Sequence, residues 1–214
     1  MPNVSAAGSS IGIAALLLMT AACSAPDANP LAAYAGASTV PADAGTGDDS
    51  GSPQVDVRAV FAAVANEAYQ SKSNGFAQAS TAFPSAAAPG KLVTEWISKD
   101  ALDAFLKINP NTTGSNVTLP VGTTIVRAVQ DPSTMAITKL TLLVKGPPGY
   151  NPALGDWWFA ETDPSGMPLP EGDAGYQFGI PWQAENCYSC HTPRNNDDFL
   201  FGISSAYHVQ ESSN

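Results

Sequence analysis

Apolar residues recur along the chain with two different periods, and each period predicts a different kind of element. After Asp56, apolar side chains return every three or four positions, which places them on one face of a helix. Asp56 is a favourable N-cap, because its carboxylate can accept a hydrogen bond from a backbone N–H of the first turn. We therefore predict a helix from residue 56 to about residue 69 that packs on the core. Its apolar face consists of Val57, Val60, Phe61, Val64 and Ala68.

Four later segments are rich in β-branched and aromatic residues and end at clusters of Gly, Pro, Asn and Asp, a composition typical of strands and turns. They cover residues 91–97, 123–130, 137–145 and 156–162. After the first of them, Ser98 is positioned to cap a short helix at about 99–107. Several antiparallel strands with a few helices make the predicted fold class α+β, built on an antiparallel β-sheet.

The first 22 residues contain no charged side chain and include an apolar run at 11–19. This run is too short to span a bilayer and matches the apolar part of a signal peptide. It leads into Thr20-Ala21-Ala22-Cys23, which resembles a bacterial lipoprotein cleavage box. We predict that residues 1–22 are removed and that Cys23 is lipidated; the alternative is an ordinary signal peptide cut at the same Ala pair. Either leader predicts export to the periplasm or cell envelope, and a lipid would anchor the chain to a bacterial membrane without spanning it.

Residues 24–55 are rich in Ala, Pro, Gly, Ser and Asp and contain few large apolar side chains. Such a segment cannot bury enough surface to offset the entropy lost on ordering. We predict a disordered tether at 24–55 and one folded domain at 56–214, a length sufficient for a single hydrophobic core.

The net charge of −10 arises from 19 acidic and 9 basic side chains. The basic residues form no run in the sequence, which argues against a nucleic-acid partner and against charge-driven binding to anionic lipid. The acidity indicates a solvated surface, with a positively charged redox partner as the alternative.

The most specific chemical signal is the pentapeptide Cys187-Tyr188-Ser189-Cys190-His191. Cys-x-x-Cys-His is the attachment signal for a c-type haem. On one helical turn both thiols can form thioethers with the same porphyrin, and the histidine can offer a neutral nitrogen to the iron. We predict one covalent haem c on a C-terminal helix at about 182–192, with Cys187 and Cys190 as anchors and His191 as the metal ligand.

Three other interpretations of the motif are weaker. A structural zinc site needs four ligands, and outside the motif only His208 and Cys23 could contribute. A thioredoxin-like pair is typical of cytosolic chains with a βαβ pattern, and a disulfide between the two motif cysteines would leave His191 unexplained. The cysteine count favours haem and lipid together, because two thiols on haem and one on lipid use all 3 cysteines.

The order of elements and motifs resembles the cytochrome P460 family, which includes the β-sheet type of cytochrome c prime. The resemblance covers about residues 56–208 and depends on segments on both sides of the haem motif. These are Gly155-Asp156-Trp157-Trp158-Phe159-Ala160, Asp163-Pro164-Ser165-Gly166 and Asp197-Asp198-Phe199-Leu200-Phe201. The family implies an antiparallel sheet that holds the haem and a five-coordinate iron with an open distal side.

In the oxidising members of this family, a lysine is bonded to the porphyrin edge and a carboxylate lies over the iron. The aligned positions here are Arg127 and Thr141. Arginine keeps its proton and is a poor nucleophile, so Arg127 is expected to pair with a haem propionate or to orient a bound ligand, with a surface arginine as the alternative. Thr141 cannot act as a general base near neutral pH. Glu95 and Glu161 are candidate substitutes, although surface positions are expected for both.

Three functions follow from the motif and the resemblance. The first is binding of a diatomic gas such as nitric oxide, or another small nitrogen-oxide ligand, at a five-coordinate haem with an aromatic lining. The second is oxidation of hydroxylamine or nitric oxide, with Lys139 or Lys145 restoring the bond to the haem edge and electrons passing to a partner cytochrome. The third is electron transfer by a six-coordinate iron. Separately, the chain could assemble as a homodimer. The lining candidates are Trp157, Trp158 and Phe159, and the candidate sixth ligands are Met135, Met167 and His208.

Overall fold

The computed structural model describes residues 54–71, 73–171 and 175–209. The predicted leader at 1–22, the predicted lipid site Cys23 and residues 24–53 of the predicted tether lie outside these ranges. The last two tether residues, Gln54 and Val55, are described, and Val55 is buried in the core with 7% of its surface exposed. Within the described ranges, no helix has the length and apolar character needed to cross a membrane.

The described strands form one antiparallel sheet, which confirms the α+β class. The strands are β1 (Phe76–Gln78), β2 (Phe83–Pro84), β3 (Leu92–Ser98), β4 (Thr124–Gln130), β5 (Ile137–Lys145) and β6 (Trp157–Thr162). Their order is β1-β3-β4-β5-β6, and β2 also pairs with β3. The long strands β3, β4, β5 and β6 therefore pair in the order in which they follow one another along the chain.

Short helices surround the sheet. The α-helices are α1 (Val57–Val64), α2 (Leu102–Phe105), α3 (Gly179–Asn186) and α4 (Tyr188–His191). Turns of 3-10 helix lie at Ala65–Gln70, Lys99–Ala101, Pro152–Leu154, Thr192–Asp197 and Ser205–Tyr207.

The first helix begins where the sequence predicts and ends earlier. The Asp56 carboxylate accepts a hydrogen bond of 3.0 Å from the backbone N–H of Ala59, so it is the N-cap. The α-helix ends at Val64, because Asn66 and Glu67 adopt left-handed φ angles of 52° and 60°. The chain continues as a 3-10 turn that still buries Tyr69.

All four predicted strands are confirmed as β3 to β6, whereas the short strands β1 and β2 were not predicted. The predicted cap at Ser98 is wrong. The side-chain oxygen of Ser98 instead accepts a hydrogen bond of 2.9 Å from the backbone N–H of Thr124 on the neighbouring strand. The helix after it, predicted at 99–107, is a 3-10 turn followed by the four residues of α2.

The sheet has two faces with different coverings, since successive residues of a strand point to opposite sides. We call them the α1 face and the motif face. The α1 face presents Val126, Ala128, Leu140, Leu142, Trp158 and Ala160, which pack with Val57, Val60 and Val64 of α1. The motif face presents Ile97, Ile125, Leu143, Trp157 and Phe159, which pack with Phe105 of α2, Leu200, and Trp182, Cys187 and Tyr188 of the C-terminal helices.

Helix α3 is attached to the outer edge of β6 through the fully buried side chain of Gln183. Its amide oxygen accepts a hydrogen bond of 2.9 Å from the backbone N–H of Phe159, and its amide nitrogen donates one of 3.1 Å to the carbonyl of Trp157. These are backbone groups that an edge strand leaves without a strand partner. Gln183 therefore supplies the partners for the first part of this edge, while residues 168–169 and 177–178 pair with its second part.

The predicted haem helix at 182–192 is only partly correct. Helix begins earlier, at Gly179, and is interrupted at Cys187, whose φ of −116° departs from the helical value before α4 begins. The interruption separates α3, which is anchored to β6, from the other four residues of the motif, which form α4.

Replacing Gln183 with leucine keeps most of the side-chain volume and leaves the backbone groups of Phe159 and Trp157 buried without partners. We expect the free energy of unfolding to fall by about 2–4 kcal/mol, measured by urea denaturation. The matched control is Gln70→Leu at an exposed position, for which a change within about 0.5 kcal/mol is expected. Equal effects of the two substitutions would show that Gln183 does not anchor the helix.

Candidate functional site

The Cys-x-x-Cys-His residues lie against the motif face, beside β6. Tyr188 donates a hydrogen bond of 2.7 Å from its hydroxyl to the side-chain oxygen of Asn151, and the amide of Asn151 donates one of 2.9 Å to the carbonyl of Trp157. Asn151 is buried. The second residue of the motif is thus attached to the loop that precedes β6.

The two cysteines of the motif are not bonded to each other. Cys187 has a free, partly buried thiol, whereas Cys190 is bonded in a disulfide. Burial, with a smaller contribution from the negative charge of Glu161, raises the pKa of the Cys187 thiol to about 12. Attachment of haem through two thioethers requires both sulfurs in the reduced state.

His191 lies between two aromatic rings. Its ring centre is 4.9 Å from that of Phe159 and 5.2 Å from that of Phe201, both in edge-to-face contact. Its Nδ1 lies 2.6 Å from the backbone carbonyl of Phe199. A carbonyl can only accept, so Nδ1 holds the proton and Nε2 presents a lone pair.

Burial keeps this imidazole neutral. Desolvation lowers the pKa of His191 to about 4; the hydrogen bond to Phe199 opposes the shift, and the positive charge of Arg127 adds to it. Iron binds the neutral form of histidine, and metal-bound histidines usually donate their other N–H to a carbonyl or carboxylate. His191 therefore fits the role of a proximal haem ligand.

Four strands contribute one row of polar side chains to the same face. Glu95 of β3 is directly opposite Arg127 of β4, Arg127 is opposite Thr141 of β5, and Thr141 is opposite Glu161 of β6. Residues directly opposite one another point to the same side of a sheet. Glu161 is two positions after Phe159, so this polar row lies on the motif face.

Three of the four residues in the polar row are partly exposed, and the fourth, Glu95, is buried. Residues 125–129 of β4 are buried except Arg127, residues 140–145 of β5 are buried except Thr141, and β6 is buried except Glu161. The charge of Arg127 acts on His191, and that of Glu161 acts on Cys187. Arg127, Thr141 and Glu161 are therefore the partly exposed positions of the motif face, and two of them act electrostatically on residues of the motif.

Two ion pairs connect the charged residues of the row to neighbouring strands. Arg127 Nε lies 2.8 Å from Glu95 Oε1, and Lys139 Nζ lies 2.5 Å from Glu161 Oε1. The expected surface position of Glu95 is wrong, because its side chain is only 6% exposed. Burial raises the pKa of Glu95, and Arg127 opposes that shift. Arg127 itself is 24% exposed, so it is not an ordinary surface arginine.

The remaining predicted residues have other partners or positions. Trp158 points to the α1 face, so it cannot line a site beside the motif. Lys145 is buried and pairs with Asp198. Met135 and Met167 are 49% and 64% exposed and lie in turns. The Nε2 of His208 lies 3.0 Å from the carbonyl of Ile203.

Sequence reasoning missed the groups that position the motif. Gln183 and Asn151 act through backbone partners that become neighbours only after folding. The carbonyl of Phe199 belongs to the backbone, so no residue type signals it, although the segment around it had contributed to the family resemblance.

The zinc alternative requires several ligands in one place. Among the described residues, no group of three or more His, Cys, Asp or Glu side chains is arranged to hold a metal ion. A c-type haem takes a single imidazole from the motif, and that imidazole is present with a free Nε2.

The raised pKa of Cys187 predicts slow alkylation in the haem-free protein. With Cys23 and Cys190 replaced by serine, Cys187 is the only thiol of the full-length chain. At pH 8 we expect iodoacetamide to react at least about 100-fold more slowly with the native protein than with the urea-unfolded protein. The native rate should keep rising about tenfold per pH unit above pH 9, where the unfolded rate levels off.

The substitution Glu161→Gln checks the cause of this shift. It removes a negative charge that disfavours the thiolate, so the native rate should increase. Similar rates and a common plateau in native and unfolded protein would contradict the buried position of Cys187.

Comparison with known proteins identifies no relative, since no protein-family model, no curated protein and no solved structure matches the chain.

Proposed function

We propose that the chain is an exported mono-haem c-type protein that binds a diatomic gas such as nitric oxide at one open face of the haem. One observation supports this most directly. In the Cys-x-x-Cys-His motif, His191 is neutral, its Nδ1 is held 2.6 Å from the carbonyl of Phe199, and its Nε2 is available to iron.

Some of the described residues would bind the haem, and others would set the environment of its iron. Once the disulfide of Cys190 is reduced, Cys187 and Cys190 would anchor the porphyrin, and His191 would be the proximal ligand. When bound, the haem supplies an iron that takes a gas molecule or an electron. Phe159 excludes water from one side of the imidazole, since it is 2% exposed and in contact with it.

Arg127 is the described cation best placed to act beside the haem. It belongs to the polar row on the motif face and is held by the buried carboxylate of Glu95. A guanidinium fixed in this way can donate to a propionate or to a bound ligand while one side of it stays paired. This is a positioning role and requires no bond between Arg127 and the porphyrin.

Visible spectra of the purified full-length protein, ferric and ferrous, before and after addition of nitric oxide, test the proposal. We expect a haem that stays bound through denaturation, a high-spin spectrum and a shift on addition of the gas. A low-spin spectrum that nitric oxide does not change would replace gas binding by six-coordinate electron transfer.

Single substitutions test the attachment. Cys187→Ala and Cys190→Ala each leave one thioether and one unreacted vinyl group, so the haem band of the denatured protein should move to longer wavelength. Ser189→Ala, at the exposed position inside the same motif, should leave the band unchanged. Wild-type spectra in either cysteine variant would exclude attachment through two thioethers.

A second candidate, oxidation of hydroxylamine or nitric oxide with electrons passed to a partner cytochrome, is favoured by the burial of Glu95. Oxidation of hydroxylamine to nitric oxide releases three protons and three electrons, so a proton acceptor is needed. Burial raises the pKa of Glu95, which makes its carboxylate a stronger base than an exposed one. Its ion pair with Arg127 places it in the polar row beside the motif.

If Glu95 accepts these protons, Glu95→Gln should lower the rate of hydroxylamine oxidation by about 100-fold or more while nitric oxide still binds. Cytochrome c reduction measures the rate. Glu161→Gln is the comparison, because Glu161 belongs to the same row and is also ion-paired, but its side chain is 20% exposed and that of Glu95 only 6%. A loss confined to Glu161→Gln would assign the role to that residue, and activity in neither wild type nor variants would exclude this second function.

A further inference from the structure

We propose that the buried ion pair between Asp198 and Lys145 is a positioning device for His191, acting through the backbone carbonyl of Phe199. The inference concerns how the chain orients this imidazole, and its consequence for the iron rests on the function proposed above.

Asp198 is held from three sides. Its carboxylate pairs with Lys145 at the end of β5 and accepts a hydrogen bond of 2.9 Å from the backbone N–H of Leu119. Its backbone carbonyl accepts one of 2.8 Å from the indole N–H of Trp157, the first residue of β6. The side chain is 5% exposed. The residue is thus attached to two strands of the sheet and to the loop before β4.

Lys145 in turn needs the carboxylate of Asp198 to balance its buried positive charge. Its side chain is 9% exposed, and its ammonium donates a hydrogen bond of 2.6 Å to the carbonyl of Gly155. It also lies 5.1 Å from the ring centre of Trp157. A lysine charge in this position requires a negative partner, and Asp198 provides it.

The contacts of Asp198 hold two consecutive residues in an unusual backbone conformation. Asp198 and Phe199 are consecutive non-glycine residues with φ angles of 54° and 62°. Such residues persist in the left-handed region only where surrounding contacts hold them. Gly155 makes room for the second of them, because a Cβ there would lie 2.5 Å from the ring of Phe199.

The left-handed pair directs the carbonyl of Phe199 towards His191, 2.6 Å from its Nδ1. Without the anchors of Asp198, the two residues would relax to ordinary backbone angles and the carbonyl would turn away. The ring would then lose the bond that selects its Nδ1–H tautomer and leaves Nε2 free for iron.

The test compares Asp198→Asn with Asp197→Asn in the full-length chain. Asp197 is the matched control, because it is the adjacent residue and fully buried. It accepts hydrogen bonds from the backbone N–H groups of Gly114 and Ser115 and pairs with the guanidinium of Arg194, which is connected to His191 through the ring of Phe201 and not through the carbonyl of Phe199. Both substitutions are expected to lower the unfolding midpoint.

The tautomer of His191 distinguishes the two variants without any haem. Long-range proton–nitrogen NMR of the haem-free protein at pH 7.5 should show mainly the Nδ1–H form in wild type and in Asp197→Asn. In Asp198→Asn the ratio of Nδ1–H to Nε2–H should fall at least about fivefold, as expected for loss of one hydrogen bond. In the haem-loaded protein, the iron–imidazole stretching frequency should fall in Asp198→Asn only.

Unchanged tautomer and stretching frequency in a folded Asp198→Asn protein would overturn the proposal. If that variant does not fold, Lys145→Met combined with Asp198→Asn removes both charges and avoids leaving the lysine unpaired; the same two readouts then decide. A wild-type protein that takes up no haem would refute the proposed function, while the tautomer comparison would still decide this inference.

Discussion

The hydrogen bond from His191 to the backbone carbonyl of Phe199 is the constraint on which the C-terminal part of the molecule depends. To make it, the chain must turn back within eight residues of the imidazole and keep Asp198 and Phe199 in left-handed conformations. Each such residue costs about 1–2 kcal/mol. The contacts of Asp198 with Lys145, Leu119 and Trp157 offset that cost, because they replace water at groups that folding has already buried.

The motif face combines two requirements that usually conflict. Its apolar part must exclude water around His191, and the buried ring of Phe159 contributes to this by contacting the imidazole. Its polar row must keep charges close to the same site. Pairing resolves the conflict, because Glu95 and Lys139 each have an opposite charge within 2.8 Å and 2.5 Å, respectively. Ion pairs of this kind add little net stability, since desolvation and the ordering of the side chains offset their attraction.

The long elements could be predicted because their signals are local. β5 has the predicted bounds of residues 137–145, since its β-branched and apolar residues are enclosed by Pro and Gly turns that stop any continuation. The N-cap of α1 was equally readable, because a cap and its partner are three residues apart. β1 and β2 were missed because strands of three and two residues contain too few positions to show a period, and pairing with β3 decides their conformation.

The sequence by itself determined the α+β class, the long strands and the motif with its histidine, because each depends on neighbours within a few positions along the chain. It could not determine which groups surround that histidine. The interruption of the helix at Cys187, the burial of Glu95 beside Arg127 and the carbonyl that holds His191 were decided only by the tertiary structure. Each depends on contacts between segments far apart in sequence or on a backbone angle that no residue type specifies, and burial changes the energy of charges and hydrogen bonds only after those segments have packed.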